Sequence, residues 1–517
     1  MVTRETINGV LDTASATVAT TTIKASTEVK PDGDPIRETK RRVKLKTEKQ
    51  LHQEEKAKEK GRLGGLSEVE FTKNLDDAST VEFTPFAEGP PREPQPVYPP
   101  DIDCDSPYAL FSLFWDEKMW QILATNTNQY AIRQGAVPRG RTSGARSHSD
   151  IDSLNQRTWW ATNPDELKVF VGTLIYIGIH PEGETAEYWN KDLLNGPNHT
   201  PALWITLERF TQLQRFLHCS PVKDNEEPPL SDQLDRMTAS ERRETNQQWW
   251  RKLEPIISMF RSNCSSHWIP GKNVSIDEMM IKFYGRSKHT LKMVNKPIKQ
   301  GFKMWALCDR GYLFYFMFHS RFFKIGELKK HVLLTDTQSI VYQLAVELPP
   351  LPDGQTYTIY LDNLFTSTQL FRELKVVGIG ACGTTRANSS PDFPNMLHLL
   401  KEKYGHVLPW GTLVAIPVDE VLCLGWIDNN TVLSLSTVHT VNKVADHVKR
   451  WRRRPQQTSS NATNARKPFN GKGPRAELAI PRYIDEYNFN MGGVDIADQH
   501  RAAYKTQRKV IRNWLPH

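Results

Sequence analysis

The chain has 517 residues, of which 38% are hydrophobic, and a mean hydropathy of −0.55, enough to bury a sizeable core that divides into two or three folded parts. No apolar run reaches the roughly 18 residues of a membrane span; the longest, 169–179, is interrupted by Gly172 and Gly178. The net charge of +8 is concentrated in residues 37–62, with about +6, and residues 440–475, with about +9, the footprint expected where a chain meets a polyanion.

The N-terminus shows no apolar core of a secretory signal, and the six cysteines, at 104, 219, 264, 308, 382 and 423, have no metal-ligand spacing. A soluble intracellular protein with reduced thiols, not associated with a membrane, is the expectation. Residues 1–100 lack helical or strand periodicity, are rich in Thr, Lys, Glu and Pro, and read as a disordered arm. Within it, the basic run from Lys40 to Lys46 reads as a nuclear-import signal.

From Ser106 the apolar residues recur every three to four positions, through Tyr108, Phe111, Trp115 and Trp120 and then the runs 167–179 and 203–217. This predicts an all-helical domain over 101–268. After Pro270-Gly271 the signal changes to strands. A short run at 274–276 ends at Asp277, residues 302–308 and 312–319 form a hairpin turning at Asp309-Arg310-Gly311, and a strand over 356–361 is closed by Asp362. A helix over 367–376 and a strand over 378–384 complete an α/β pattern with a mixed sheet, 269–390. Residues 391–480 read as a β-rich insertion, with strands at 408–416 and 421–438 and a basic loop over 449–475. Helix resumes in 481–517, from Gly493 to about Trp514.

Two strand-end aspartates and a third acid on a late helix suit the chemistry of phosphoryl transfer. That reaction uses divalent cations held by hard oxygen ligands from several segments. In the sequence Met491-Gly492-Gly493-Val494-Asp495-Ile496-Ala497-Asp498, the two glycines allow a sharp turn into the helix, and Asp495 and Asp498 share a face three residues apart. Arg501, Lys505, Arg508 and Arg512 continue that helix at helical spacing, which sets a phosphate track beside the acids. Any one of these aspartates alone reads as a turn or cap residue.

The motifs together resemble the piggyBac transposase family. They are Ser275-Ile276-Asp277-Glu278, Phe283-Tyr284-Gly285-Arg286, Asn295-Lys296-Pro297, Gly301-Phe302-Lys303-Met304-Trp305, Leu361-Asp362-Asn363-Leu364-Phe365, Gly383-Thr384-Thr385-Arg386 and Met491-Gly492-Gly493-Val494-Asp495, in order over about 106–514. The resemblance implies an RNase H-like catalytic domain with an insertion before its last acid. It implies that Asp277, Asp362 and Asp495 are catalytic, that they bind Mg²⁺ or Mn²⁺ together with Asp498, and that no covalent protein intermediate forms. The implied reaction is cleavage at an element's ends and strand transfer into double-stranded target DNA at TTAA, by a homodimer. Arg450, Arg452, Arg453 and Arg454 of the insertion, with Lys505, Arg508 and Arg512, are the expected DNA contacts. Family members usually continue past the position of Trp514 into a cysteine-rich zinc-binding tail. This chain ends at His517 without one, so a truncated or host-recruited DNA-binding derivative that has lost catalysis is the alternative expectation.

Overall fold

The computed structural model describes residues 48–79, 82–86, 89–138, 158–192, 194, 199–222, 250–285, 287, 289–294, 296–319, 328–441, 446–458, 461–469 and 473–503. The chain divides into Met1–His52 and Gln53–His517, and the packing described below lies within the second unit. The basic run at 40–46 falls outside the described residues.

The first element, helix α1 (Glu48–Gly64), leads into α2 (Glu68–Ala78), which Ser67 and Glu70 start with a reciprocal capping box. This corrects the expectation of a disordered arm over 1–100: from Gln53 onward the described residues are ordered. Leu63, Phe71 and Leu75 are buried in the main core. Phe71 stacks on Tyr404 at 3.9 Å, and the Tyr404 hydroxyl donates to the carbonyl oxygens of Gly64 and Leu66. Further on, the Arg92 guanidinium donates to the carbonyls of Pro270 and Gly271 and to Gln355, and lies over the Tyr357 ring. A few well-placed anchors thus fix a segment whose average composition is polar.

Helices α3 (Pro107–Phe114), α4 (Glu117–Arg133), α5 (Pro164–Ile179), α6 (Leu207–Phe216) and α7 (Ile256–Ser266) follow, as the spacing predicts. Side chains of Ser106, Asp116, Asn163 and Thr206 cap the first four of them. Their apolar faces gather Trp120, Leu123, Phe170, Phe210 and Leu213 into one cluster, which continues onto the sheet through Met279, Phe302 and Phe316.

The sheet begins with β1 (Asn273–Lys282), β2 (Gln300–Asp309) and β3 (Tyr312–Phe318). Arg310 and Gly311, both at positive φ (48° and 96°), form the two-residue turn between β2 and β3, the geometry that matches strand twist. After α8 (Asp336–Ala345) come β4 (Tyr357–Leu361), α9 (Thr368–Val376) and β5 (Ile379–Thr384). Strand β4 lies parallel to both β1 and β5, whereas β2 runs antiparallel to β1, so the sheet is mixed.

In the insertion region, β6 (Leu413–Val418), β7 (Val421–Ile427) and β8 (Thr431–Ser436) form a meander whose last strand pairs antiparallel with β5. The sheet therefore runs β6-β7-β8-β5-β4-β1-β2, with β3 and the short strand Leu291–Lys292 both on β2, nine strands among the described residues. These three strands extend the sheet that carries Asp277 and Asp362. The expected basic loop over 449–475 is corrected at its ends, where β9 (His447–Arg453) pairs antiparallel with β10 (Arg475–Pro481) in a ribbon. Its charges hide the strand alternation, which survives in β10, where Ala476, Leu478 and Ile480 are buried. Helices α10 (Arg482–Asn490) and α11 (Gly493–Ala503) close the described chain.

If the arm is fixed by these anchors, Phe71→Ala removes a fully buried ring and is expected to cost ~3–5 kcal/mol. Urea denaturation of the full chain measures it, and an unchanged midpoint would mean that the arm does not contribute to the fold.

Candidate active site

Strand β1 places Asp277 in its middle rather than at its end, the position expected from sequence. The neighbouring strand β4 stops at Leu361, opposite Ile276, so Asp277 lies where its partner strand runs out. Asp362 directly follows β4, and it folds the chain into a tight turn. Its carboxylate accepts from the Leu364 amide at 2.7 Å, and its carbonyl accepts from the Phe365 and Thr366 amides and the Thr366 hydroxyl. Parallel register thus sets the two residues next to each other, from segments 85 residues apart in sequence.

Helix α11 brings the third and fourth acids. It starts against the sheet because Gly493 has no side chain: a Cβ there would lie 2.5 Å from the Ser275 hydroxyl. Neither Gly492 nor Gly493 has a positive φ, so close approach to β1, rather than the sharp turn read from sequence, is what the second glycine supplies. Val494 and Ala497 are buried against the sheet, Asp495 is exposed in the first turn, and Asp498 is half-buried. The Arg501 guanidinium donates to Asp498 at 2.7 Å and to the Met280 carbonyl of β1, which ties the helix to the strand that holds Asp277.

Two lysines and one further acid complete the cluster, and sequence reading gave them no role. The Lys296 ammonium stands 3.7 Å from Asp277 and 3.6 Å from Glu278. Buried Lys303 stands 3.9 Å from Glu278 and lies over the Trp305 ring at 3.8 Å. Lone lysines read as solvated charges in sequence. The available signal was their company, Asn295-Lys296-Pro297 and Lys303-Met304-Trp305, on the segments facing the acidic strand.

Burial dominates the electrostatics. It pushes the Asp277 carboxyl up to about 7, helped by the nearby Glu278 charge and opposed by Lys296. Burial also raises Asp362 and Asp498, against hydrogen bonding from the Leu364 amide in the first case and the Arg501 charge in the second. Lys303 is lowered by burial, with Glu278 and Asp277 opposing. For Lys296 burial pulls down, but the charges of Asp277, Glu278, Asp495 and Asp498 together outweigh it and leave it raised. That ammonium therefore senses four acids drawn from β1 and α11.

The donor set, all carboxylate oxygens, suits a hard divalent cation such as Mg²⁺ or Mn²⁺. Glu278 keeps one buried oxygen without a hydrogen-bond partner, and three of the aspartates are disfavoured as free anions, so a cation would relieve them. Among the described residues no three acids, histidines or cysteines are gathered closely enough to hold an ion together, and one or two carboxylates with water are the usual set for Mg²⁺.

Elsewhere, Arg450 is paired bidentately with Asp485 through bonds of 2.7 and 2.6 Å, and Arg452 is paired with Asp428. Arg453 is exposed and Arg454 half-buried. Lys505, Arg508 and Arg512 lie outside the described residues.

A solved cryo-EM structure titled as a piggyBac transposase synaptic complex with hairpin DNA matches this fold with a TM-score of 0.55 and 20% identity, covering 82% of this chain and 73% of that one. That likeness is one of fold, a mixed α/β sheet with helices packed on it. The chain belongs to the piggyBac-type transposases: the family described as Transposase IS4 matches residues 106–516. Human relatives include PiggyBac transposable element-derived protein 2, 24% identical over 411 residues, and PiggyBac transposable element-derived protein 3, 23% identical over 405 residues. These matches cover 79% and 77% of this chain but 58% and 56% of the relatives' own lengths.

The raised Asp277 value carries a stability consequence. Between about pH 4 and pH 7 the folded chain holds a proton that the unfolded chain has lost, so this group's contribution is complete below about pH 4 and disappears as pH rises through 7. Asp277→Asn is expected to flatten that fall and to be more stable than the unsubstituted chain at pH 8 by ~1 kcal/mol or more. Denaturation at pH 5 and pH 8 checks this, and a variant less stable at pH 8 would contradict it.

Proposed function

We propose that this chain is a piggyBac-like DNA transposase, in which Asp277, Asp362 and Asp495 are the catalytic carboxylates of an RNase H-like core and Asp498 assists them in holding Mg²⁺ or Mn²⁺. The observation that carries the reading is the gathering of acids from β1, from the residue after β4 and from α11 about the Lys296 ammonium, from segments that sequence places far apart. Such ions, when bound, activate an attacking oxygen and stabilise a leaving one. The chain's own residues have complementary tasks. Asp277 and Asp362 present oxygens at the junction of two parallel strands, and Arg501 orients Asp498. Lys296 and Lys303 offset the acids' mutual repulsion, and Lys296, the more exposed of the two, is placed to meet a phosphate once displaced. No side chain acts as a covalent nucleophile in this scheme.

The substrate is double-stranded DNA, cut at the ends of an element and joined at TTAA. The basic run at 40–46 fits action in the nucleus, and a homodimer suits an enzyme that handles two ends. Among the described residues no helix is long and apolar enough to cross a membrane. Within the insertion, the ion pairs of Arg450 and Arg452 leave exposed Arg453 and Lys467 as the freer phosphate contacts.

Nicking of DNA that carries the element's ends, with Mn²⁺ or Mg²⁺ present, tests the reading. Asp277→Asn and Asp362→Asn are each expected to reduce it at least about 100-fold while leaving DNA affinity within about two-fold, since charge stabilisation at the reacting phosphate is lost. Wild-type nicking in both variants would remove these acids from the reaction, and absence of nicking by the unsubstituted chain with DNA affinity retained would favour a DNA-binding derivative without catalysis. For the insertion, the double change Arg453→Glu and Lys467→Glu is expected to weaken binding and lower the slope of log affinity against log salt by about two, roughly one per lost contact. Titration at several salt concentrations measures that slope, and an unchanged one would remove these residues from the interface.

A further inference from the structure

The two lysines that face the acids are held in different ways. Lys303 belongs to β2, where it is paired with Met280 of β1, and its carbonyl accepts from the His319 amide at 3.0 Å just past β3. Its side chain is 10% exposed, and its ammonium lies against the Trp305 ring, 3.8 Å from the ring centre. It has strand on both sides and an aromatic face against its charge, and it stays where it is.

Lys296 lacks that support. It stands in the loop between the short strand Leu291–Lys292 and β2, where its amide donates to the Met293 carbonyl at 3.2 Å and the Met293 amide donates to the Lys299 carbonyl at 2.8 Å. Its side chain is 28% exposed, and its ammonium is 3.7 Å from Asp277 and 3.6 Å from Glu278, beyond hydrogen-bond length to either. What holds it is the summed charge of Asp277, Glu278, Asp495 and Asp498. A divalent cation is drawn to that same charge, and two positive groups in one negative field repel each other. An ammonium on a flexible stem, open to solvent and held by charge alone, is the one of the two that can move.

We propose that Lys296 is an exchange residue that couples the cation site to DNA: it neutralises the acids when no cation is bound, and it turns to a DNA phosphate when one is. The proposal rests on the reading of these acids as a cation site and of the chain as DNA-binding. It adds a consequence of linkage: whatever factor the cation adds to DNA affinity through Lys296, DNA adds to cation affinity.

The test uses the full chain with Mn²⁺ at constant ionic strength and a labelled duplex without element ends, which keeps cleavage out of the measurement. Calorimetry reads Mn²⁺ affinity and anisotropy reads DNA affinity. The unsubstituted chain is expected to bind the duplex about ten-fold more tightly with saturating Mn²⁺ than in EDTA. Lys296→Met is expected to raise Mn²⁺ affinity without DNA about ten-fold, because a competing charge is gone, and to leave DNA affinity in EDTA within about two-fold while abolishing the gain that Mn²⁺ brings. Lys296→Arg, which keeps a charge on a long stem, is expected to retain the gain. Three results would each overturn the proposal while leaving the cation site and DNA binding intact: DNA affinity of the unsubstituted chain that ignores Mn²⁺, Lys296→Met protein that loses DNA affinity equally with Mn²⁺ and with EDTA, or no rise in its Mn²⁺ affinity. Failure of the unsubstituted chain to bind Mn²⁺ or the duplex would overturn the underlying reading as well.

Discussion

The carboxylates of Asp277, Glu278, Asp362 and Asp498 lie where water is scarce, and the surrounding fold accommodates that conflict. Like charges in a poorly solvated place repel one another and favour protonation, which is why burial heads the causes acting on Asp277, Asp362 and Asp498. Two lysines answer the conflict from β2 and the segment before it, one held over an indole face and one reaching across β1. Removing the acids relieves the strain, and keeping them maintains a place that favours cations. Stability given up at such a position is the usual mark of a working site.

The scaffold is arranged around that place. Parallel pairing of β1 with β4 sets two acidic residues next to each other, and a glycine at the start of α11 lets a helix press on the same strand. Three strands of the insertion region continue the sheet through β5, and the ribbon β9–β10 packs on them through Ile480 in one cluster with Leu422 and Trp426. The arm from Gln53 onward packs on the segment around Tyr404 and on the start of β1.

Much of this was legible in the sequence, in proportion to how local its cause is. Periodicity found the helices α5 and α9, and the turn at Arg310-Gly311 announced itself by residue type. Asp362 was correctly placed at a strand end because a run of apolar residues stops there. Asp277 was misplaced because a charged pair inside a strand reads as that strand's end, whereas β1 continues through Met279, Met280 and Ile281. The arm was read as disordered because Phe71 and Leu75 are few among many polar residues, and their value lies in Tyr404, which only the fold brings near. Lys296 and Lys303 were silent for the same reason: a counter-charge has meaning only once its acids have been gathered.

The most direct test of the account is calorimetric titration of the full chain with Mn²⁺ at pH 6.5, repeated in two buffers of different ionisation enthalpy. Saturable binding is expected, which Asp277→Asn and Asp362→Asn each abolish, with net proton release, because an acid that burial keeps protonated up to about pH 7 must ionise to hold a cation. Binding of equal strength in those variants, or no binding by the unsubstituted chain, would contradict it.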